Sequence, residues 1–324
     1  MVKDEHFIKR HELVNVKDIL EEKIGAESFL KYEEAGNRAE NLEENDCPMY
    51  VVVELNDYCN MRCKMCIKSI DANANGNSNM PLDMVEKLIK DCKDINMPSF
   101  FVGGGTECLI NPDIRNVLDM IIKDGGAIDN VLITNGYELN QEMADFLIDN
   151  NWEKLFVSLD AATDETYKSI RGKDLSVVEK NLRYIIEEKK KRNSKFPIIR
   201  VSFVVQDENE EEIEDFYKKW KDDVEIIDFQ NLIDFSDMDV IKDLPDTDEK
   251  CTAPFSLLMV DCKGDIYPCC NEWSKMLKIG NITEMTIKEA WESDIIKTLR
   301  NQIKNGKLND ICKNCLRTTK KVEE

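Results

Sequence analysis

Histidine is almost missing from this chain: its 324 residues include two, His6 and His11, both near the N-terminus and away from every cysteine group. That scarcity argues against a His-based catalytic triad and against a mixed Cys/His zinc site. Basic residues are short as well, with 44 Lys and Arg against 65 Asp and Glu and a formal net charge of −21. Affinity for nucleic acid is built largely from Lys and Arg on phosphate, so no nucleic-acid partner is expected, and the excess of acid reads as a solvated surface. No apolar run approaches the roughly 20 residues that a membrane span needs. The opening "MVKDEHFIKRHELVNVKD" has neither the apolar core nor the small-residue cleavage site of a secretory signal. A cytoplasmic chain with no membrane partner is the expectation.

What is abundant is cysteine, twelve in all. In a reducing compartment these are candidates for metal rather than for a disulfide framework. Apolar residues at 42% and charged residues at 34% give an ordinary globular balance. Residues 1–46 read as one or two polar helices that pack on a main domain. From residue 50 the pattern becomes strand-like runs, "YVVVEL" (50–55), "SFFVGG" (99–104), "NVLITN" (130–135), "KLFVSL" (154–159), "IIRVSFVV" (198–205) and "VEIIDF" (224–229). Helical stretches lie between them near 81–96, 112–124, 140–150, 174–193 and 209–221. Six such alternations imply a parallel sheet with crossover helices, too few for the eight-fold barrel, so the expected fold is α/β, an open or partial (β/α)6 barrel. Chemistry in such folds gathers at the C-terminal strand ends, and here those ends run into "NDYCNMRCKMC", "GGGTE", "TNG", "SLD" and "QN".

After about residue 240 the alternation stops. "CTAPFSLLMVDCKGDIYPCC" reads as a β-hairpin with a Lys-Gly turn, followed by a helix in "IKEAWESDIIKTLRNQIKNG" and then "DICKNCLRTTKK". A module of this size is small enough to profit from a metal staple. The expected division is 1–47 as an N-terminal helical segment, 48–240 as the partial barrel and 241–324 as a cysteine-rich module.

Cys59, Cys63 and Cys66 have C-x3-C-x2-C spacing on the loop after the first barrel strand. Three thiolates so spaced can reach three corners of one iron–sulfur cube, leaving the fourth iron without a protein ligand. A zinc knuckle is the alternative, and it would need a fourth Cys or His, none of which lies close in sequence.

With these motifs the chain resembles the radical S-adenosylmethionine (radical SAM) enzymes. The resemblance implies a [4Fe-4S] cluster whose open iron is chelated by SAM, with SAM cleaved reductively to methionine and a 5′-deoxyadenosyl radical that abstracts hydrogen from substrate. "GGTECLINPDI" (104–114) is similar to the family's "GGEPLLNPDI", which implies cofactor contacts at Gly104, Gly105, Thr106 and Glu107, with Thr106 and Cys108 standing where the family has Gly and Pro. "ITNG" and "VSLDAATDETYKSIRG" imply Thr134 or Asn135 near the ribose, Ser158 near the ribose or carboxylate and Arg171 as a carboxylate partner. Met65 stands where the family usually has an aromatic over the adenine.

Cys251, Gly264 and Cys269 in G-x4-C spacing, and Cys312-x2-Cys315, resemble the SPASM/Twitch extension of the same enzymes. The C-x2-C-x5-C-x3-C block of a full SPASM domain is absent, so four cysteines and one auxiliary [4Fe-4S] cluster are implied; on spacing alone a zinc ribbon stays open. Cys47 and Cys92 read as small buried hydrophobes, as do Cys108, Cys262 and Cys270 unless one of these three donates a hydrogen atom to a substrate radical. Within the family the resemblance points to the Twitch-bearing aminocyclitol alcohol dehydrogenases. It implies oxidation of a small hydroxylated substrate such as an amino sugar or cyclitol, with an external electron donor of flavodoxin or ferredoxin type. Sugar epimerisation and peptide maturation remain alternatives; for the latter, residues 1–46 look short for a leader-binding domain. Glu54, Asp160 and Gln230 are strand-end pocket candidates, and no sequence feature selects the base among them.

Overall fold

The computed structural model describes residues 9–236, 241–246 and 249–318; His6 lies outside them. Ten strands form one open sheet: β1 (Arg10–Glu12), β2 (Tyr50–Val53), β3 (Ser99–Val102), β4 (Val131–Thr134), β5 (Lys154–Ser158), β6 (Ile198–Val205), β7 (Ile226–Asn231), β8 (Leu257–Val260), β9 (Asp265–Tyr267) and β10 (Gly280–Asn281). Their order is β1-β7-β6-β5-β4-β3-β2-β8-β9-β10. The six central strands, β2 to β7, pair in parallel in sequence order. With β1 and β10 at opposite edges the sheet does not close, and a partial barrel results.

The crossover helices are amphipathic, and their caps are local. Asn140 accepts from Met143 N to open the helix Gln141–Asp149, and Thr163 accepts from Thr166 N to open Asp164–Arg171. Alternation along the strands sorts their two faces. Val51, Val53, Phe100, Val102, Leu132, Leu155, Val157, Ile199, Val201, Phe203, Ile227 and Phe229 pack outward in one core with the helices. The other face therefore carries Tyr50, Val52, Glu54, Phe101, Ile133, Phe156, Ser158, Arg200, Ser202, Asp228 and Gln230.

Residues 16–40 close one end of that inner face. The helices Val16–Ile24 and Ala26–Glu40 bring Val16, Leu20 and Phe29 against Phe196, Ile198 and Ile226. Tyr32 donates to Asp129 (2.7 Å), and Lys154 reaches the same carboxylate oxygen at 2.6 Å. The two helices match the sequence expectation, but the three-residue strand β1 ahead of them does not follow from it: β1 lies antiparallel on β7, Arg10 opposite Asp228. Three polar residues on an edge carry no periodic signal, and only the partner strand specifies them.

The C-terminal module also departs from a free-standing unit. Its hairpin forms as expected, β8 antiparallel to β9, with Gly264 in the turn at φ +83°. A Cβ on Gly264 would meet Ile282 Cγ2 at 2.9 Å. Yet β8 also pairs in parallel with β2, Val52 opposite Met259, so the module extends the barrel sheet. The expected single helix breaks at Ser293, which caps Asp294–Lys304 after the short helix Ile287–Trp291.

Candidate functional site

The three-cysteine loop leaves β2 at Glu54 and returns through the short helix Ile67–Ile70, which Cys66 opens. Met61, 2% exposed, anchors it in the core, and Lys64 N donates to Ile170 O at 2.8 Å. Met61 N donates to Cys59 Sγ (3.4 Å), Arg62 Nη1 to Cys59 O (2.8 Å), and Arg171 Nη1 points at Cys63 Sγ (3.7 Å). Burial raises the Cys59 thiol and pushes Cys63 up to about 11, with Arg171 drawing Cys63 partly back and Cys66 adding to the rise of both. Among the described residues no three His, Cys, Asp or Glu side chains stand at single-ion spacing. A cubane cluster asks each thiol for one corner rather than for convergence on a single ion, and three thiols on one short loop can supply that.

The next two strand ends are tied to this loop by one buried carboxylate. Glu107, 1% exposed, accepts from Leu109 N (3.0 Å), Thr134 Oγ1 (2.7 Å) and Asn135 N (2.7 Å). Burial raises its pKa, and these donors oppose the rise. Thr134 Oγ1 in turn accepts from Gly136 N (2.9 Å), and Asn135 Nδ2 donates to Asn60 Oδ1 (2.8 Å) within reach of Cys59 Sγ (4.0 Å). Thr106 Oγ1 and Asn56 Oδ1 are buried without a partner. The backbone turns at Gly103 (φ +97°) and Gly104 (φ +139°), and a Cβ on Gly103 would meet Ile133 O at 2.5 Å.

After β5 and β6 the chain builds a second buried anchor. Asp160, fully buried at φ +63°, receives Arg171 Nε (2.9 Å) and Nη2 on Oδ2 and Val204 N (2.8 Å) on Oδ1. Ser158 lies in register with Ser202, and Gln206 Nε2 approaches Met65 Sδ (4.0 Å). Gln230 donates to Asp228 Oδ2 (2.7 Å). Glu54, 4% exposed, faces Lys275 of the C-terminal module at 3.7 Å. Cys108 lies in the core with its thiol on Ile133 O (3.2 Å), Cys262 is buried, and Cys270 is exposed.

In the C-terminal module, Cys312 and Cys315 sit one turn apart on the helix Asp310–Thr318. Burial pushes Cys312 up to about 11, with Cys251 adding to the rise, and Cys315 higher still, under the influence of Cys269, Cys251, Cys312 and Cys270. Cys251 and Cys312 pack with Phe255 and Leu299, and Cys269 packs with Val52 and Tyr267 on the inner face. The fold thus gathers these four thiols, with Cys270 beside them, next to Tyr50 at the start of β2.

Gly103, Asn56, Ser202 and Arg200 escaped sequence reasoning. The first sits one residue ahead of the motif used to align the loop, whereas the alternation in "IIRVSFVV" could have put Arg200 and Ser202 on one face.

A partial barrel with thiol triplet, glycine-rich second strand end and thiol quartet defines an iron–sulfur enzyme that binds SAM. The "Radical SAM superfamily" description matches residues 53–219, just over half the chain, and the chain belongs to that superfamily. A second match, to the SPASM "Iron-sulfur cluster-binding domain", covers residues 251–316. The residues present fit the groups these families carry: a [4Fe-4S] cluster with SAM in the barrel, and auxiliary iron–sulfur binding in the C-terminal module. Partly aligned relatives include the S-adenosyl-L-methionine-dependent 2-deoxy-scyllo-inosamine dehydrogenase of Niallia circulans, 27% identical over 109 residues, 32% of this chain and 44% of that protein. GTP 3′,8-cyclase of Clostridium perfringens is 29% identical over 168 residues, 51% of this chain and 50% of that protein. The chain thus aligns with about half the length of these curated relatives. Among solved structures, BtrN in complex with AdoMet and 2-DOIA has a TM-score of 0.57 at 17% identity, covering 84% of this chain and 94% of that one. Streptococcus suis SuiB bound to precursor peptide SuiA has 0.60 at 16%, covering 85% and 71%. At these identities the structures speak for the fold. No helix among the described residues is long and apolar enough to cross a membrane.

Proposed function

We propose that the protein is a radical SAM oxidoreductase that dehydrogenates a small hydroxylated substrate such as an amino sugar or cyclitol. The observation that supports this reading is the gathering of Cys251, Cys269, Cys312 and Cys315, with Cys269 packed on Val52 of the inner face of β2 and Cys251 and Cys312 beside Phe255 and Leu299. Four protein thiols can ligate every iron of one auxiliary [4Fe-4S] cluster, which leaves no iron to hold substrate and makes an electron relay the natural role. Removing hydrogen from an alcohol carbon and then forming the carbonyl needs such a one-electron exit. The partial kinship with the inosamine dehydrogenase supports the same substrate class.

In this reading Cys59, Cys63 and Cys66 hold the first cluster. Gly104, Gly105, Thr106, Glu107, Thr134, Asn135, Ser158 and Met65 surround SAM, and the partnerless Thr106 Oγ1 and Asn56 Oδ1 face its polar end. When bound, these groups supply hydrogen-atom abstraction and an electron sink. Arg171 is held by Asp160 and positions the cluster loop through Cys63. Of the three pocket carboxyl or amide candidates, Asp160 is committed to Arg171, and the Gln230 amide is no base near neutral pH. Glu54 is therefore assigned to take the hydroxyl proton on its carboxylate, with Lys275 across from it. The inner wall of β5, β6 and β7 orients substrate. A flavodoxin- or ferredoxin-type donor delivers the electron that starts each turnover.

Incubation of the reduced, reconstituted protein with SAM and candidate aminocyclitols in deuterated water tests this. A ketone product with one 5′-deoxyadenosine per turnover is expected. Deuterium gained at carbon with no change of oxidation level would establish an epimerase instead, and failure to cleave SAM would sink the reading altogether.

A further inference from the structure

The inner wall of the barrel contains a guanidinium that the free chain leaves unsatisfied. Arg200 and Asp228 lie on the inward-facing set of β6 and β7, with Ser202 directly opposite Asp228 and Ser158 directly opposite Ser202. The Arg200 guanidinium stacks on Phe156 with its carbon 3.7 Å from the ring centre. Among the described residues its one ionic contact is Nη1 to Asp228 Oδ2 at 3.1 Å, and Nε is buried with no partner. The two side chains keep 16% and 13% of their exposure, so solvent-sized molecules still reach them. Gln230 Nε2 lies on the same Asp228 oxygen at 2.7 Å. Arg171 is better placed, with Asp160 through two nitrogens; Arg300 also keeps a partnerless Nη2, but its other nitrogens reach Pro254 O, Trp291 O and Glu44, and it packs between Phe255 and Trp291 outside the barrel's inner wall.

A buried donor without an acceptor is costly unless a ligand supplies one. Guanidinium and carboxylate side by side offer parallel donors and an acceptor a few ångströms apart, flanked by a serine hydroxyl and an amide. That pattern complements neighbouring hydroxyl groups, each of which both donates and accepts. An anionic head group fits it poorly, because Asp228 pairs with Arg200, Arg10 across from Asp228 is paired with Glu12 (2.8 Å), and a further anion would face the Asp228 carboxylate in a low-dielectric site.

We propose that Arg200, Asp228 and Gln230, with Ser202, form the specificity wall for the substrate, and that they recognise a vicinal diol or amino-alcohol edge of a ring that carries no acid group. The arrangement rests on the oxidoreductase reading for calling the ligand a substrate; as a polyol site it stands on its geometry. Burial holds Arg200 down to about 10, with Asp228 opposing and Arg10 adding to the fall, in keeping with a cation short of partners.

Calorimetric titration of the SAM-loaded holoenzyme with myo-inositol, 2-deoxystreptamine and glucosamine, against inorganic phosphate, gluconate and a neutral tripeptide, tests the wall without turnover. The polyols and amino-alcohols are expected to bind and the others not. Arg200→Met should weaken that binding about 10- to 100-fold, the loss expected for a charge-assisted pair of hydrogen bonds. Arg200→Lys should not restore it, because an ammonium lacks the planar fork. Circular dichroism and cluster absorbance verify folding, and Gln230→Leu serves as a milder variant should Arg200→Met fail to fold. Tighter binding of phosphate or gluconate, rescue by lysine, binding of the tripeptide alone, or no binding by any polyol would each overturn the proposal. Polyol binding that is lost in Arg200→Met, with no ketone formed in the turnover assay, would keep the wall and discard the dehydrogenase.

Discussion

Replacing Arg171 by methionine isolates the buried pair that holds the fifth strand end to the cluster loop. Arg171 and Asp160 side chains are 7% and 0% exposed, and the contact uses two guanidinium nitrogens on one carboxylate oxygen. Arg171→Met leaves the Asp160 carboxylate with Val204 N as its hydrogen-bond donor among the described residues and no cation in the buried site. Removing one member of a buried pair costs about 3–5 kcal/mol. At about 2.1 cal/mol/K per residue, 324 residues correspond to roughly 0.7 kcal/mol/K, so the melting midpoint of the cluster-free protein should fall by about 4–7 °C. Asp160→Asn, which strands the guanidinium instead, should cost a similar amount, and an asparagine tolerates the φ of +63°. The double variant removes both charges and should lose clearly less than the sum of the two, a coupling of about 2 kcal/mol or more. Thermal unfolding followed by circular dichroism reads all three. Additive losses, or a midpoint shift below about 1 °C for Arg171→Met, would refute the reasoning. In the loaded protein the same variant loses the N–H and the positive charge beside Cys63 Sγ, so the cluster potential should move to more negative values in a redox titration.

Gly103→Ala places a Cβ 2.5 Å from Ile133 O and 3.2 Å from Cys108 Sγ at a φ of +97°; about 2–4 kcal/mol of stability and SAM binding by equilibrium dialysis should be lost together. Thr134→Val deletes a donor to the Glu107 carboxylate and the acceptor of Gly136 N. It should cost about 2–4 kcal/mol in urea unfolding, whereas Thr134→Ser stays within about 1 kcal/mol; equal losses would show that the hydroxyl is not the source. Because Cys63 and Cys312 are both pushed up to about 11, their thiols are protonated below that value and must release protons to bind iron. Cluster retention against a chelator should therefore strengthen steadily from pH 7 to 9, and a flat profile would contradict it. Cys63→Ala should abolish SAM cleavage and Cys312→Ala should spare uncoupled cleavage while losing product; identical behaviour in two folded variants would remove the division of labour between triplet and quartet.

The parallel core was legible because mostly apolar, β-branched or aromatic runs such as "YVVV" and "SFFV", and the alternating "IIRVSFVV", recur between helix-length segments. The thiol triplet was legible because its three members sit within eight residues, close enough for one loop to present them. Residues that act through partners distant in sequence were not. Asp160 read as a pocket candidate and Arg171 as a partner for the SAM carboxylate until the fold set them on each other across eleven residues, and Glu54 acquired Lys275 from more than two hundred residues away. The strand Arg10–Glu12 and the pairing of β8 with β2 likewise have no local signature, since each is a hydrogen-bonded ladder completed by a remote strand.

By itself, then, the sequence determined the alternating α/β core, the three-thiol loop with one iron left open, and the cysteine spacing of the module after it, because periodicity and short-range spacing are properties of neighbouring residues. Tertiary structure alone decided which carboxylates are spent on structure, that Cys269 packs on Val52 of β2, and that Arg200 faces the barrel interior short of an acceptor. Those outcomes depend on burial and on contacts between distant segments, which come into being when the sheet curls and its inner face is largely withdrawn from water.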